Sequence, residues 1–133
     1  MESIELNDLT SKKDFNSYKD FQEFINEHKD EIIVAKFYRS NCPYCIEYTP
    51  VFEELKQLYK DNFHFTNINI ERDMLFKYKY KISDLPTTLI IKEGIPYYRR
   101  IGVLPFLEIK ERLDRIQTIS QKDNLIETQA RVK

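Results

Sequence analysis

Residues 36–45 have the sequence Lys-Phe-Tyr-Arg-Ser-Asn-Cys-Pro-Tyr-Cys, and this stretch decides the fold. It contains both cysteines of the chain, Cys42 and Cys45, separated by two residues. The apolar run Ile32–Ala35 precedes it, and a helical pattern of apolar residues follows from Tyr44. We therefore expect a short buried strand that leads a Cys-x-x-Cys pair into the start of a helix. In a chain that alternates strands and helices, this arrangement indicates a dithiol/disulfide redox site.

The predicted position of the cysteines suits nucleophilic sulfur chemistry. A thiolate, rather than a thiol, attacks a disulfide, so the attacking cysteine needs a lowered pKa. The first turn of a helix offers unpaired N–H groups and the positive end of the helix dipole. Cys42 is expected at the N-cap and Pro43 at the first helical position, where a missing N–H is tolerated. Cys45 follows one turn later on the same face, so we assign Cys42 as the nucleophile and Cys45 as the resolving thiol.

Two other interpretations of the cysteine pair stay open at this point. In one, the two cysteines are close in sequence only by coincidence. In the other, they provide half of the ligands of a zinc site. A structural zinc ion needs about four ligands, and the chain has no third cysteine and only two histidines. His28 and His64 are distant from the motif and from each other, without a His-x3-His spacing. No metal site is predicted, and His28 is expected to be a packed surface histidine.

Length and composition exclude several classes of protein. The 133 residues predict one domain, and 41% hydrophobic residues are enough for a core. The formal net charge of −1 gives no support for nucleic acid binding. Two glycines exclude a glycine-rich phosphate loop, and no apolar run approaches the roughly 18 residues of a membrane span. The acidic N-terminus Met1–Glu5 lacks a signal-peptide pattern, so a cytoplasmic location is expected. A monomer is expected as well.

Hydrophobic periodicity predicts alternating helices and strands. Ser17 is expected to cap an amphipathic helix, which is followed by the strand Ile32–Tyr38 and the motif helix Pro43–Tyr59. Further elements are expected at residues 63–70 (strand), 74–78 (helix), 86–91 and 97–101 (hairpin strands) and 105–116 (helix). The alternation predicts parallel strands with helices on both faces, except in the antiparallel hairpin.

The chain is expected to consist of three segments. These are an N-terminal arm at residues 1–14, the domain at residues 15–116, and a polar tail or helix extension at residues 117–133. Within the domain, Pro50 is expected to kink the motif helix. The predicted core stripe of that helix comprises Ile46, Val51, Phe52, Leu55, Leu58 and Tyr59. In the following segment, Met74, Leu75 and Tyr78 indicate the short helix.

Over about residues 15–116, the chain resembles the thioredoxin family. The order of elements matches the thioredoxin fold, and Pro50 stands where the family kinks its active-site helix. Residues 82–87, Ile-Ser-Asp-Leu-Pro-Thr, resemble the family's cis-proline loop. Gly94 matches the hairpin turn, and Gly102 matches the glycine before the last helix. The resemblance implies an α/β thioredoxin fold, with a central mixed β-sheet of four to five strands flanked by helices on both faces.

The same resemblance implies a substrate-binding surface beside Cys42. In the family, a cis proline exposes the backbone of the residue before it, so that an extended substrate strand pairs beside the cysteines. By resemblance, Leu85-Pro86 faces Cys42. Further residues expected at this surface are Asn41, Pro43, Tyr44, Asp84, Gly102 and Val103. For Leu85 and Val103, ordinary core packing is an equally supported interpretation.

Two departures from the family pattern concern the redox centre. Thioredoxins usually carry Trp-Cys-Gly-Pro-Cys, whereas residues 41–45 are Asn-Cys-Pro-Tyr-Cys, with the dipeptide of glutaredoxins. The glutaredoxin signatures for glutathione, a Thr-Val-Pro loop and a later Gly-Gly-x-Asp, are missing. Lys36 occupies the place of the family's buried aspartate, and Asn67 that of its lysine partner. A neutral Lys36 would act as a base and a charged one would stabilise a thiolate. A Lys36 that reaches solvent would have no role.

These observations predict a thiol–disulfide oxidoreductase that exchanges disulfides with protein substrates through Cys42 and Cys45. No cofactor is expected beyond the redox-active disulfide itself. A thiol-reducing system, either a reductase or glutathione, is the expected source of electrons. One alternative is a glutathione-linked, glutaredoxin-like activity. Another is a binding module with a thioredoxin fold whose dithiol is idle or regulatory.

Overall fold

The computed structural model of the chain describes residues 14–118. Residues 1–13 of the predicted arm and residues 119–133 of the predicted tail lie outside the described residues. The described residues fall into two compact units, divided between Val103 and Leu104. The elements of the first unit are α1 (Tyr18–Glu27), β1 (Ile32–Tyr38), α2 (Pro43–Tyr59), β2 (His64–Asn69), α3 (Leu75–Lys79), β3 (Thr87–Lys92) and β4 (Ile95–Ile101). The second unit contains helix α4, described over residues 106–118.

The strands of the first unit form one mixed sheet in the order β2-β1-β3-β4. β1 pairs in parallel with β2, where Lys36 lies opposite Asn67, and antiparallel with β3, where it lies opposite Thr88. β3 and β4 form the predicted antiparallel hairpin, whose turn residues Glu93 and Gly94 have positive φ angles of 55° and 77°. β1 is central and buried at six of its seven positions, because it is covered on both faces. This sheet confirms the predicted fold class.

One face of the sheet is covered by α1 and α3. Ser17 caps α1, because its side chain accepts a hydrogen bond from the Asp20 N–H (3.1 Å). Side chains of β1 and β3 pack against both helices on this face. The buried members of this core are Phe21, Ile25, Ile33, Ala35, Phe37, Ile68, Phe76, Tyr80, Ile82, Leu89 and Ile91.

The opposite face is covered by α2, since alternate residues of the same strands point towards it. Thr88 Oγ1 donates a hydrogen bond to the Tyr48 hydroxyl (3.0 Å). The rings of Phe52 and Phe65 lie 5.5 Å apart, with their planes nearly perpendicular. Helices therefore flank both faces of the sheet, as predicted.

The buried stripe of α2 differs from the predicted one. Ile46 and Leu58 were expected in the core, but they are 67% and 53% exposed. Tyr48 is completely buried instead, and the core tolerates it because its hydroxyl is paired with Thr88. The residues that α2 buries are Cys45, Tyr48, Phe52, Leu55 and Tyr59, which follow one another at three- and four-residue steps.

The two shorter helical predictions have different outcomes. The helix α3 exists, but Met74 and Tyr78 are exposed and Phe76 is its buried residue. In α4, Ile109 and Leu113 are buried, on the face that their spacing predicts. Within residues 14–118, no helix has the length and the apolar character needed to cross a membrane.

Candidate active site

Cys42 and Cys45 lie where β1 leads into α2. Cys42 is the N-cap of α2 and Pro43 is its first residue, in the positions that the sequence predicts. Cys42 Sγ accepts a hydrogen bond from the Cys45 N–H (3.2 Å), which is one of the free donors of the first turn. The two sulfurs form a disulfide, with Cα atoms 5.2 Å apart, and each cysteine is only 4% exposed. This position at a helix N-terminus stabilises a thiolate on Cys42 when the disulfide is opened.

The loop between β1 and α2 is held by hydrogen bonds to two of its own backbone carbonyls and to one carboxylate. Arg39 Nη1 donates hydrogen bonds to the carbonyl oxygens of Ser40 (3.0 Å) and Asn41 (3.1 Å). The Ser40 N–H donates to Glu71 Oε1 (3.0 Å). Asn41 has a positive φ of 57°, a conformation that Asn adopts more readily than most residues. These contacts position the chain immediately before Cys42.

A cavity of about 460 Å³, called the outer cavity below, lies on the Cys42 side of the disulfide. It brings four residues predicted at the substrate surface, Pro43, Tyr44, Asp84 and Leu85, together with Cys42. Tyr44 is 65% exposed at its rim, and Leu85 is half-buried. The complete lining is Arg39, Cys42, Pro43, Tyr44, Ile70, Lys77, Ile82, Ser83, Asp84 and Leu85.

The loop before β3 has the cis Leu85–Pro86 peptide bond that the family resemblance implies. The buried Pro86 accepts a hydrogen bond at its carbonyl from the Gly102 N–H (2.8 Å). Gly102 has a φ of 100°, and a Cβ there would meet no atom within 4 Å. The glycine is therefore required by its backbone conformation and not by lack of space. Among the described residues, Pro86, Gly102 and Val103 are not part of the outer cavity's lining.

A second cavity, of about 330 Å³ and called the inner cavity below, lies on the Cys45 side of the disulfide. Cys45 lines the inner cavity and not the outer one, whereas Cys42 lines the outer cavity and not the inner one. Asn41, predicted at the substrate surface, lines the inner cavity instead. The complete lining is Asp14, Lys36, Tyr38, Arg39, Ser40, Asn41, Cys45, Ile46, Thr49, Glu53 and Asn67.

Lys36 is buried at the inner cavity, with only 4% of its surface exposed. Its Nζ lies 5.0 Å from the centre of the Phe52 ring, in a cation–π arrangement. Burial lowers the pKa of Lys36, and the negative charges of Glu53 and Asp14 oppose that shift. This burial gives no support to the interpretation in which Lys36 reaches solvent and has no role.

Asp14 and Glu53 belong to the inner cavity, although neither was predicted as a site residue. Burial raises the pKa of Asp14, while the hydrogen bond that its Oδ1 accepts from the Asn67 N–H (3.1 Å) opposes this. A signal for Glu53 was present, because it follows Cys45 by two helical turns on the same face of α2. Asp14 had no such signal, since it lies in the segment interpreted as an arm.

The two histidines lie side by side at the other end of β1, so the expectation that they are distant from each other is wrong. Their ring centres are 4.6 Å apart. Glu31 lies between them, with Oε2 2.9 Å from His28 Nδ1 and Oε1 2.5 Å from His64 Nε2. The parallel register places His64 beside Ile33, close to Glu31. A contact that depends on strand pairing is not visible in sequence spacing.

A disulfide that joins a helix N-cap to the first turn, beside a cis-proline loop and after the central strand of a mixed sheet, defines a protein with the thioredoxin fold. The family model for thioredoxin matches residues 13–115, and the chain belongs to the thioredoxin family.

Curated relatives are thioredoxins from plants and bacteria. Thioredoxin Y2, chloroplastic, of Arabidopsis thaliana is 28% identical over 110 residues, which cover 83% of this chain and 64% of that protein. The thioredoxin of Mycoplasmoides gallisepticum is 32% identical, over 61% of this chain and 80% of its own. That of Bacillus subtilis is 27% identical, over 71% and 90%. The chain spans less than two thirds of the length of the chloroplastic relatives that it matches.

Solved thioredoxin structures have the same fold. The thioredoxin of Fasciola hepatica superposes with a TM-score of 0.71 at 24% identity, covering 77% of this chain and 97% of that one. Thioredoxin NaTrxh of Nicotiana alata also gives a TM-score of 0.71, at 22% identity, covering 77% of this chain and 90% of its own.

Proposed function

We propose that the chain is a thiol–disulfide oxidoreductase that reduces protein disulfides through Cys42 and Cys45. The observation that carries the proposal is the division of the disulfide between two cavities. A substrate disulfide approaches Cys42 from the outer cavity, while Cys45 stays beside the charged groups of the inner one. This division supports Cys42 as the nucleophile and Cys45 as the resolving thiol. The dithiol itself carries the two electrons, so the reaction needs no further cofactor.

The reaction consists of two thiol–disulfide exchanges. The Cys42 thiolate attacks one sulfur of the substrate disulfide, and the other substrate sulfur leaves as a thiolate that takes up a proton. Cys45 then loses its proton and attacks Cys42 Sγ, which breaks the mixed disulfide and releases the second substrate thiol. The substrate is reduced by two electrons, and the Cys42–Cys45 disulfide is formed. A thiol-reducing system returns this disulfide to the dithiol.

The inner cavity supplies the groups that handle the proton of Cys45. Lys36 lines the cavity together with Cys45, and burial lowers its pKa, which favours the neutral amine that a base requires. The carboxylates of Asp14 and Glu53 adjust the protonation of Lys36 through their negative charges. In the protonated state, the same lysine stabilises a nearby thiolate. We assign Lys36 this proton-handling role in the second exchange.

The surroundings of the outer cavity favour a polypeptide substrate. The outer cavity shares Lys77 and Ile82 with a larger depression of about 860 Å³. Met74, Leu75 and Tyr78 line that depression and are 66%, 44% and 83% exposed. A polypeptide lying across both depressions covers this apolar surface, which a small thiol cannot do.

Specific roles follow for the residues beside Cys42. Pro43, Tyr44 and Leu85 line the outer cavity, so we assign them direct contact with the substrate. Pro86 and Gly102 form a backbone hydrogen bond that holds the loop carrying Leu85. The proposal further places the chain in a reducing compartment, the cytoplasm, as a monomer.

A glutathione-linked activity is a second candidate. Arg39 and Lys77 both line the outer cavity together with Cys42. Two cations beside the reactive sulfur match the two carboxylates of glutathione. Rapid reduction of the oxidised protein by glutathione alone, without a reductase, would favour this candidate.

The test mixes the reduced protein with a disulfide-containing protein and follows the thiols of both by alkylation. The wild type is expected to become oxidised as the substrate is reduced. Cys42→Ser abolishes the reaction, whereas Cys45→Ser accumulates a mixed disulfide with the substrate. A Cys42→Ser protein with full activity refutes the proposal. A partner complex that survives the loss of both cysteines would indicate a binding module instead.

A further inference from the structure

A group of three side chains remote from the dithiol has the composition of a metal site. The chain has two histidines in all, and both contact the carboxylate of Glu31. One potential ligand atom from each of His28, Glu31 and His64 lies within 4.8 Å of the other two. In tetrahedral zinc coordination with ligands at about 2.0–2.1 Å, neighbouring ligand atoms are about 3.4 Å apart. The three side chains are therefore already near the spacing that one ion requires.

The fold places these three residues at the end of α1, immediately before β1 and at the start of β2. His28 is the C-cap of α1, and its carbonyl accepts a hydrogen bond from the Glu31 N–H (3.0 Å). His64 is the first residue of β2 and is placed by the pairing with β1. Phe24 contacts both imidazoles, with ring centres 4.4 Å from His28 and 5.3 Å from His64. The ligand atoms are thus positioned by backbone and ring contacts before any ion binds.

The side chains also remain accessible to an ion. Those of His28, Glu31 and His64 are 30%, 50% and 22% exposed. A metal at this point would have three protein ligands and a remaining position for water.

We propose that His28, Glu31 and His64 bind a divalent transition metal ion, with zinc as the best match. Two imidazole nitrogens and one carboxylate oxygen suit zinc, whereas magnesium and calcium prefer oxygen ligands alone. The ion joins the end of α1, the start of β1 and the start of β2.

This site is independent of the redox reaction. Glu31 precedes the first residue of β1, whereas the cysteines follow its last residue, and seven residues of strand span about 20 Å. The expected consequence of zinc binding is higher stability, because the ion binds the folded chain and not the separated ligands.

The experiment uses the oxidised, untagged protein, because the disulfide prevents zinc from binding to the cysteines. Zinc is titrated calorimetrically, and the histidine ring signals are followed by NMR. The expected result is one zinc per chain with shifts of both histidine signals. Those two signals report on this site alone, because the chain has no other histidine.

Two neighbouring carboxylates provide a matched pair of variants. Glu31→Gln removes a proposed ligand, whereas Asp30→Asn removes the same charge from the preceding exposed residue. Zinc affinity is expected to fall at least about tenfold in Glu31→Gln. Substitution of a residue that only hydrogen-bonds to a metal ligand already lowers the affinity by about that factor. It stays close to the wild-type value in Asp30→Asn.

Absence of saturable zinc binding, or binding that leaves both histidine signals unmoved, overturns the proposal. Equal zinc affinities of the two variants overturn it as well. If Glu31→Gln does not fold, the histidine signals of the wild type decide the question, because they need no variant.

Discussion

At the scale of single residues, Lys36 distinguishes the surroundings of the Cys42–Cys45 disulfide from the thioredoxin pattern. It occupies the position of a buried aspartate in the thioredoxin pattern, and the structure surrounds it with Asp14 and Glu53. Compared with that pattern, the charges at the site are distributed differently. The basic side chain lies in the central strand, and the carboxylates lie on the neighbouring segments. Burial lowers the pKa of Lys36 and raises the pKa of Asp14, so it favours the neutral form of both side chains.

The lowered pKa of Lys36 predicts a pH-dependent stability. Because the folded-state pKa lies below the ordinary value of 10.5, the unfolded chain holds this proton more tightly. Charging Lys36 in the folded chain therefore costs stability below its lowered pKa, and the cost disappears as pH rises towards 10.5. We expect Lys36→Met to be more stable than the wild type at pH 7, by about 1 kcal/mol, with a smaller difference at pH 10.

Urea denaturation of the oxidised proteins at both pH values measures this difference. Lys60→Met serves as the control, because Lys60 is exposed at the end of α2 and should change little. A Lys36→Met protein that is less stable at pH 7 contradicts the prediction. That result would mean that Asp14 and Glu53 outweigh the burial of the amine.

The proton-handling role of Lys36 predicts a selective kinetic defect. Lys36→Met should slow the release of substrate from the mixed disulfide by about a hundredfold or more, because positioned acid–base groups contribute that much. Attack by Cys42 should be little affected, since Cys42 lies on the other cavity. Rapid acid quenching, with the mixed disulfide quantified by mass spectrometry, separates the two steps. Equal slowing of both steps would point to a general structural effect.

At the scale of elements, α2 is attached to the sheet by apolar contacts and one buried polar contact. The Thr88–Tyr48 hydrogen bond links β3 to the helix that carries both cysteines. Both side chains are completely buried, and burial raises the pKa of Tyr48 to about 12. The phenol is therefore protonated at physiological pH, and the contact holds α2 over the sheet near the dithiol.

Removing this contact is expected to destabilise the fold. Tyr48→Phe leaves the Thr88 hydroxyl buried without this partner, and the free energy of unfolding should fall by about 1–2 kcal/mol. Tyr44→Phe, at a position that is 65% exposed, should stay within about 0.5 kcal/mol of the wild type. Chemical denaturation measures both variants. The double variant Tyr48→Phe/Thr88→Val should recover part of the lost free energy of unfolding, because the buried Thr88 hydroxyl is then absent. If Thr88→Val instead lowers the free energy of unfolding by a further full amount, the hydrogen bond is not the cause.

At the scale of the whole molecule, the core beneath α1 and α3 joins elements that are distant in sequence. Phe76 of α3 is completely buried, and its ring centre lies 5.9–6.2 Å from those of Tyr18, Phe21 and Phe37. A five-residue helix is too short to be stable alone. Phe76 is the one residue that this helix buries, and the helix carries exposed apolar residues of the proposed substrate surface.

Truncation of this ring should therefore affect the fold as a unit. Phe76→Ala is expected to lower the free energy of unfolding by about 3–5 kcal/mol. Tyr78→Ala, two residues away and 83% exposed, should change it by less than about 0.5 kcal/mol. Circular dichroism and tyrosine fluorescence should report one common transition. A small effect of Phe76→Ala would show that α3 is not attached through this core.

The sequence by itself determined the features that depend on near neighbours. The run Ile32–Tyr38, the N-cap at Cys42 and the hairpin at Gly94 follow from local periodicity and backbone preference, and each is found where it was predicted. The fold class also followed, because alternating elements admit few arrangements. Short-range chemistry decides such features, since the residues that interact lie within one turn or one strand of each other.

Only the tertiary structure decided which distant residues meet. It placed Asp14 at the inner cavity, buried Tyr48 in place of Ile46, and joined His28 to His64 through Glu31. Each of these contacts depends on how strands pair and on which face of a helix lies against the sheet. Spacing along the chain determines neither the strand pairing nor the buried helix face, because both depend on how all the core side chains pack together.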